Sequence, residues 1–341
     1  MCPPAATLHL KKVNSKKPDE NQHSVPKFLL QNFSVPLKPA QVMVFDKQDE
    51  RTFAANISKI SCERAYYDIE VGELLLSMER SLQNIESTTS KIIRSVIETE
   101  QLPGPDSTER FLLSLFTAVQ FLRVPNVRGN ISSWNELLKQ KLCSIRAQDA
   151  DVERLTSMRK DEAKLISMGL LEKVSEFVPF FYYKTWMLYK TSKQTPFFIA
   201  NNPVTLQNQR EAEFPYGNLG VAVEGIEIYM PLSDQLSLGI LCPTHDVEIH
   251  KLNQKFSAEW RRRPEVLAKL GNRATYLDDL VEGVTTGRAV PIPPEVVLNL
   301  NSLQAYFSSR FVYCTHDCFD PVREMIRKNP LVKAGPQYSA L

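Results

Sequence analysis

Residues 225–241 read GIEIYMPLSDQLSLGIL, and this stretch decides the fold class. Two apolar runs, 225–232 and 235–241, flank Ser233 and Asp234, which are residue types that favour a tight turn. The pattern predicts an antiparallel hairpin. Three further strands are predicted from short apolar or β-branched runs, two just upstream and one near the C-terminus: Thr185–Lys190, 197–200 and Phe311–Cys314.

A second hairpin is predicted near the N-terminus. Residues 41–46 alternate in polarity, with Val42 and Val44 on one face, and a polar turn leads into a second short run over 51–57. A hairpin of this size is marginally stable on its own. We therefore expect it to join the later strands in one small antiparallel sheet.

Helical spacing of apolar residues fills the region between the two groups of strands. It begins at about residue 72, and it resumes over 106–123, where Asp106 and Glu109 predict a capping box. Further helices are predicted over 131–177, 246–263, 264–282 and 295–310. This order predicts an α+β fold, in which a mostly helical central block packs beside a small antiparallel sheet formed by the N-terminal and C-terminal hairpins.

The length of 341 residues allows one large domain or about two of average size. Residues 1–22 are polar and lysine-rich, and they predict a disordered tail. Because the early hairpin is expected to pair with the later strands, residues 23–330 are expected to form a single α+β domain. Residues 331–341 are then a C-terminal tail.

Charge and composition restrict the classes of function. The 41 basic and 39 acidic residues leave a formal charge of +2, so no overall field draws the protein to DNA or to a membrane. The longest apolar stretch, 111–122, is shorter than the roughly 20 residues of a membrane span. The N-terminus lacks the apolar core of a secretory signal, and the six cysteines are scattered. We expect a cytoplasmic protein without membrane association.

Six polar residues are the candidates for a functional site. A histidine transfers protons near neutral pH, arginines bind phosphate or carboxylate through two hydrogen bonds, and an asparagine amide can orient a substrate. We predict catalytic roles for the first two members of the set and ligand-binding roles for the other four. The set is His23, Arg123, Arg128, Asn201, Asn202 and Arg310.

The alternative for the same residues is architectural. His23 can brace the helix that begins near Pro26, and Arg123 stands at a helix C-terminus, where a positive charge is favourable for reasons of dipole alone. Asn201 and Asn202 precede Pro203 and make a good turn. Both interpretations stay open at this point.

Two segments contain residue types that can bind a metal ion. One has Cys242 and His245, and the other, 314–318, has Cys314, His316 and Cys318. These residue types bind zinc, but their spacings are not those of a standard zinc ribbon. We expect ordinary buried cysteines near strand ends, with no metal and no cofactor.

A basic run offers a route to nucleic-acid binding. Residues 261–263 are three consecutive arginines, and Trp260 stands beside them. Cations next to an aromatic ring suit phosphate contacts and base stacking. A solvated helix C-terminus explains the same run, and with the low net charge we favour that reading.

Several motifs together resemble a known family. The N-terminal one is His-x-x-Pro-x-x-x-Leu-x-x-Phe, from His23 to Phe33, and the second is Gln-x-x-Arg-x-Pro over 120–125. Asn-Pro-Val follows a predicted strand at 202–204, and two C-terminal segments, 301–304 and 309–313, complete the set. In this order they resemble the domain of unknown function family number 4238, over nearly the whole predicted domain.

The resemblance implies a fold neighbourhood and brings no assigned reaction. At position 201 the family usually has Asp, whereas this chain has Asn201. If that carboxylate serves catalysis or metal binding in the family, its negative charge is absent here.

Three functions follow as hypotheses, and whether the protein is an enzyme stays open. The first is an intracellular protein whose polar cluster binds a small anionic or phosphate-bearing ligand, or a nucleic acid. The second is a hydrolase, a nuclease being one form, with His23 as general base and Arg123 or Arg310 stabilising charge. The third is a protein-interaction module whose conspicuous residues hold the fold.

Overall fold

The computed structural model describes residues 11–12, 22–63, 66–71, 74–124, 127, 162–210, 218–261, 263, 265 and 272–336. The strands are β1 (Lys11–Lys12), β2 (Gln22–His23), β3 (Gln41–Asp46), β4 (Arg51–Asn56), β5 (Cys62–Glu63), β6 (Asp68–Val71), β7 (Leu74–Ser77), β8 (Thr185–Lys190), β9 (Ile199–Ala200), β10 (Thr205–Asn208), β11 (Ile226–Pro231), β12 (Leu236–Leu241), β13 (Ala289–Pro291) and β14 (Phe311–Cys314).

The helices are α1 (Lys27–Gln31), α2 (Glu79–Thr99), α3 (Thr108–Leu122), α4 (Glu162–Glu172), α5 (Val174–Phe177), α6 (Pro179–Tyr182), α7 (Pro243–Arg261), α8 (Asn272–Thr286), α9 (Pro294–Phe307) and α10 (Asp320–Lys328). Short 3-10 turns cover Ile57–Lys59 and Pro330–Ala334. Within the described part of the chain, no helix has the length and apolarity needed to cross a membrane.

A four-stranded sheet in the order β4-β3-β14-β9 carries the N-terminal hairpin. β14 lies antiparallel to β3, with Phe311 opposite Asp46, and β9 closes the other edge. The hairpin predicted over 41–57 therefore exists and pairs with a later strand, as expected.

A five-stranded sheet in the order β10-β11-β12-β8-β13 carries the hairpin of residues 226–241. All six residues of β11 and all six of β12 are buried. Strands that are buried on both faces need cover on both sides. Two smaller sheets, β1-β7-β6 and β2-β5, complete the strands.

The structure confirms the α+β class but not the single small sheet formed by the terminal hairpins. In the described part of the chain, the strands are divided among several sheets, the largest of which have five and four strands. The physical reason is that β11 and β12 are buried along their whole length, which makes them the centre of a sheet of their own.

Two local predictions need correction. The helical pattern that begins near residue 72 contains a strand, β7, which pairs with β6, and the helix begins only at Glu79. Helix α3 begins after Ser107, whose hydroxyl accepts a hydrogen bond from the backbone N–H of Arg110 at 3.1 Å. Ser107 is therefore the capping residue, in place of the predicted Asp106. Of the helices predicted over 131–177, residues 131–161 lie outside the described residues.

In the part of the chain that the structure describes, the buried apolar residues form two hydrophobic clusters. The larger one joins α1, α2 and α3 to the five-stranded sheet. The smaller one lies between the four-stranded sheet and α10, around Phe45, Phe198 and Phe319. Lys11 and Lys12, in the predicted N-terminal tail, pair with β7. The limits predicted for the domain and its tails stay predictions.

Candidate functional site

The predicted site residues fall into two groups. His23 and Arg123 belong to one group, near α1 and α2. Asn201, Asn202 and Arg310 belong to the other, at the ends of β9 and β14. Arg128 lies outside the described residues.

Arg123 follows directly after α3, and its side chain is fully buried. Its Nη1 donates to Glu86 Oε1 at 2.6 Å, and its Nε donates to the carbonyl oxygen of Ser24 at 2.8 Å. With the Gln120 amide turned so that its oxygen faces the guanidinium, that oxygen accepts from Nε and Nη2 of Arg123 at 3.2 Å each. The Gln-x-x-Arg spacing therefore places an acceptor one helical turn before the arginine.

The charge on Arg123 is stabilised although the side chain is buried. Burial by itself lowers the pKa of the guanidinium, but Tyr67 and Glu86 outweigh it and hold the pKa above its ordinary value. Its backbone carbonyl also accepts a hydrogen bond from the Tyr66 hydroxyl at 2.9 Å. Arg123 thus joins α2 and α3 to the segment that carries His23.

His23 lies in β2, opposite Cys62 of β5, and is buried. Its Nε2 is 3.3 Å from the carbonyl oxygen of Ile57, and its own carbonyl accepts from the Tyr67 hydroxyl at 3.2 Å. A carbonyl oxygen only accepts hydrogen bonds, so Nε2 carries the proton. In the neutral imidazole, Nδ1 is then the basic nitrogen.

An open cleft of about 390 Å³ lies between this segment and α2. We call it the His23 cleft. It is lined by His23, Lys27, Phe28, Glu79, Gln83, Glu86, Ser87 and Ser90. The five members from α2 follow the helical repeat of three or four residues, with Glu86 and Ser87 adjacent, and so share one face of the helix. The volume is in the range of small-molecule sites.

Arg310 and Asp46 form the centre of the second group. Arg310 Nε is 3.2 and 3.1 Å from the two carboxylate oxygens of Asp46, and its Nη2 is 2.7 Å from Oδ2. The Asp46 side chain is fully buried, whereas that of Arg310 is 40% exposed. Burial raises the pKa of Asp46, but hydrogen bonds from Arg310 and from the backbone N–H of Gln48 outweigh it and lower the pKa.

Asn201 and Asn202 connect β9 to the start of β14. The Asn201 Oδ1 accepts from the backbone N–H groups of Arg310 and Phe311, each at 3.4 Å, and its Nδ2 donates to the Ser309 hydroxyl. Asn202 Nδ2 donates to the carbonyl of Phe307 at 3.3 Å. These contacts are of the kind that the architectural alternative requires. A ligand-binding role for Asn201, Asn202 and Arg310 stays a prediction.

Two amides of α9 have a role that sequence reasoning missed. Asn301 accepts from the backbone N–H of Phe198 at 2.7 Å and donates to the carbonyl of Pro196 at 2.9 Å. Gln304 accepts from the N–H of Ala200 at 3.0 Å and donates to the carbonyl of Pro203 at 3.0 Å. The two side chains satisfy the backbone around β9 as a paired strand would. Two amide residues three positions apart lie on the same side of a helix, and on the otherwise apolar α9 this spacing could have indicated that both are buried.

The residues considered for zinc do not gather into one set. In the described part of the chain, Cys314, His316 and Cys318 have their ligand atoms within 4.8 Å of one another. Cys242 and His245 lie elsewhere, at the end of β12 and in α7, where His245 Nε2 is 3.0 Å from the Gly225 carbonyl oxygen.

The basic run considered for nucleic-acid binding is described only in part. Arg262 lies outside the described residues, as do the side chains of Trp260 and Arg261. The nucleic-acid hypothesis for this run stays a prediction.

The chain matches the model of one protein family over most of its length. The model of a family described as "Protein of unknown function (DUF4238)" matches residues 21–317. The chain therefore belongs to this family, which confirms the resemblance drawn from its motifs. No curated protein matches the chain. No solved structure matches it either.

Proposed function

We propose that the His23 cleft binds a small ligand that carries an anionic group, phosphate or carboxylate. The observation that carries the proposal is the convergence of two separate segments on one open cleft. His23 and Lys27 come from the β2–α1 segment, and polar residues of α2 face them. Sites assembled from distant segments around solvent-accessible space are typical of ligand binding.

The charges around the cleft suit a single anionic group. Lys27 supplies an ammonium at the cleft, and Glu79 and Glu86 supply carboxylates. The buried Arg123 pairs with Glu86 and offsets its charge. Arg123 and Lys27 together balance the two carboxylates, and the exposed Lys27 ammonium is the cation that an anionic group would contact.

Calorimetric titration of the full chain with inorganic phosphate and adenosine monophosphate tests the proposal. Lys27→Ala removes the exposed cation, and we expect at least a tenfold loss of affinity, because charge-assisted hydrogen bonds contribute about 1.5–3 kcal/mol. Lys91→Ala is the matched control, since Lys91 is an exposed lysine of α2 that does not line the cleft. Equal affinities for Lys27→Ala and the unaltered chain would overturn the proposal.

A second candidate is hydrolysis with His23 as general base. The observation that favours it is the position of His23 in the lining of the cleft, since an imidazole can accept a proton in catalysis. Of the two arginines predicted to stabilise charge, Arg123 forms an ion pair with Glu86, and Arg310 forms one with Asp46. Lys27 is the cation that lines the cleft.

Phosphomonoester and oligonucleotide substrates test this second candidate. We expect His23→Ala to abolish turnover while the circular dichroism spectrum stays that of the folded chain. Turnover retained in His23→Ala, or absent in the unaltered chain, counts against hydrolysis. If the chain neither binds anions nor turns over substrate, the interaction-module hypothesis is favoured.

A cytoplasmic location is part of the same proposal. It is supported by Cys62, Cys242, Cys314 and Cys318, which form no disulfide among the described residues. Reduced thiols are usual in the cytoplasm, where disulfides are rare. Fractionation of cells that express the chain tests the location, and recovery outside the cytoplasm would contradict it.

A further inference from the structure

Two thiols and an imidazole converge in the turn between β14 and α10. The Sγ atoms of Cys314 and Cys318 are 3.4 Å apart, and a ring nitrogen of His316 lies within 4.8 Å of both. Tetrahedral zinc binds sulfur at about 2.3 Å and nitrogen at about 2.0–2.1 Å, which places neighbouring ligand atoms roughly 3.4–3.8 Å apart. For two sulfurs this separation is about 3.8 Å, so the thiols must move apart by roughly 0.4 Å, and the imidazole must approach by at most about 1.2 Å.

We propose that Cys314, His316 and Cys318 form a zinc site, separate from the His23 cleft and independent of the function proposed for it. Among the common biological divalent ions, zinc is the one that favours two thiolates and an imidazole as ligands. Magnesium and calcium take oxygen ligands instead. The three ligands lie within five consecutive residues, so no distant segment is needed to bring them together.

The turn is held in shape by contacts other than the three ligands. Arg323 donates to the carboxylate of Asp317 at 3.1 and 3.2 Å, to Asp320 at 2.8 Å and to the hydroxyl of Thr52 at 2.7 Å. This guanidinium clamps the turn against β4. A ligand set that is positioned by its supporting residues binds metal with a smaller ordering cost.

The burial of the three ligands differs along the turn. Cys314 is buried in the smaller hydrophobic cluster, Cys318 is half-buried and His316 is exposed. The Thr315 hydroxyl is 3.0 Å from His316 Nδ1 and orients the ring. The inner thiol is therefore anchored in the core, and an ion can enter from the side of His316.

The protein supplies three of the four ligands of a tetrahedral ion. Asp317, a carboxylate of the same turn, is engaged by Arg323. Water or an added ligand would occupy the fourth position, as it does in zinc sites with three protein ligands. The site is thus of the open kind, and its metal is exchangeable.

Metal content of the purified full chain tests the proposal. After treatment with a chelator and reloading, we expect about one zinc ion per chain, and Co²⁺ in its place should give the absorption of thiolate-bound tetrahedral cobalt. His316→Ala should weaken zinc binding at least tenfold without changing the melting temperature of the metal-free chain, because His316 is exposed. Cys318→Ser should abolish the cobalt–thiolate absorption.

Cys62→Ser and His250→Ala are the matched controls, since they remove the same residue types elsewhere, and both should bind zinc as the unaltered chain does. Zinc absent from the reloaded chain, or zinc retained in Cys318→Ser, would overturn the proposal. The close thiols also suit oxidation to a disulfide. A disulfide in the isolated protein, with no zinc uptake after its reduction, would overturn the zinc site and assign the pair to redox chemistry.

Discussion

Arg123 Nη1 and Glu86 Oε1 are 2.6 Å apart, and this ion pair connects the end of α3 to the face of α2 that lines the His23 cleft. Arg123 is fully buried, whereas Glu86 is 25% exposed. The buried Arg123 therefore belongs to the protein interior, whereas Glu86 lines the cleft. Through this ion pair Arg123 contacts a residue of the candidate site.

Removal of Glu86 should destabilise the fold. Glu86→Ala leaves a buried guanidinium without its carboxylate, and we expect a loss of about 2–4 kcal/mol in the free energy of unfolding. Urea denaturation measures it. Glu98→Ala, an exposed acid on the same helix, is the control and should change stability by less than about 0.5 kcal/mol. Equal effects of the two substitutions would contradict the structural role of the pair.

Asp46 should make the protein sensitive to acid. Its pKa is lowered in the fold, so its carboxylate contributes stability above the unfolded pKa, near 3.8, and that contribution is lost as the pH falls through the lower folded value. At neutral pH, Asp46→Asn should cost about 1–2 kcal/mol, since Arg310 is partly exposed.

Urea denaturation of both chains between pH 5 and about pH 2.5 measures this linkage. The difference between them should shrink as the pH falls. Asp49→Asn, which removes a more exposed carboxylate 3.5 Å from Arg310, should have a smaller effect. A difference that is constant over this range would refute the prediction.

Lys47 should cause a second rise of stability with pH, in the alkaline range. Its ammonium is buried and donates to the carbonyl oxygens of Ala305, Ser308 and Val332 at 2.7, 2.5 and 2.5 Å. Burial lowers the pKa of Lys47 to about 7. The unfolded chain then binds one more proton than the folded chain between this pH and about 10, so stability rises with pH in that window.

Lys47→Met removes the titrating group and provides the comparison. The unaltered chain should gain up to about 1.4 kcal/mol per pH unit relative to Lys47→Met between pH 7.5 and 9.5. Denaturant unfolding at several pH values measures the two slopes. Parallel slopes would show that the ammonium keeps its proton over this range.

Asn201→Asp should be tolerated if position 201 has a connecting role. A carboxylate can accept from the same backbone N–H groups of Arg310 and Phe311, and the Ser309 hydroxyl can donate to it. We expect a change within about 1 kcal/mol for Asn201→Asp and a loss of about 2–3 kcal/mol for Asn201→Leu, which leaves buried donors without this acceptor.

Thermal unfolding of the two variants measures the difference. If Asn201→Asp is as damaging as Asn201→Leu, the connecting role is wrong. Hydrolase assays on Asn201→Asp form a second readout. Turnover that appears only in this variant would show that the usual family aspartate is functional.

The hairpins were predictable because each depends on residues that are close in sequence. Strands β3 and β4, and β11 and β12, match the predicted runs to within a residue or two. Strand β7 was not predictable in this way. Its apolar residues fit a helical stripe, and only pairing with β6 makes the segment a strand.

Some residues of the candidate site could be predicted from the sequence, and others could not. His23 and Arg123 were identifiable because they belong to the ordered motifs and because their side chains have proton-transfer and anion-binding chemistry. Glu86 and Lys27 were not, because a charged residue on a helix surface has the same sequence pattern whether it faces solvent or a cleft. Arg310 was predicted as a ligand-binding residue, but its partner Asp46 is 264 positions away.

The α+β class, the hairpins and the family could thus be predicted from the amino-acid sequence, since local periodicity and ordered motifs carry that information. The tertiary structure decided how the strands divide into sheets and which charged residues meet. Arg123 reaches Glu86 across 37 positions, and Lys47 reaches the carbonyl of Val332 across 285. Such contacts depend on how the elements pack in space, and no local pattern specifies them.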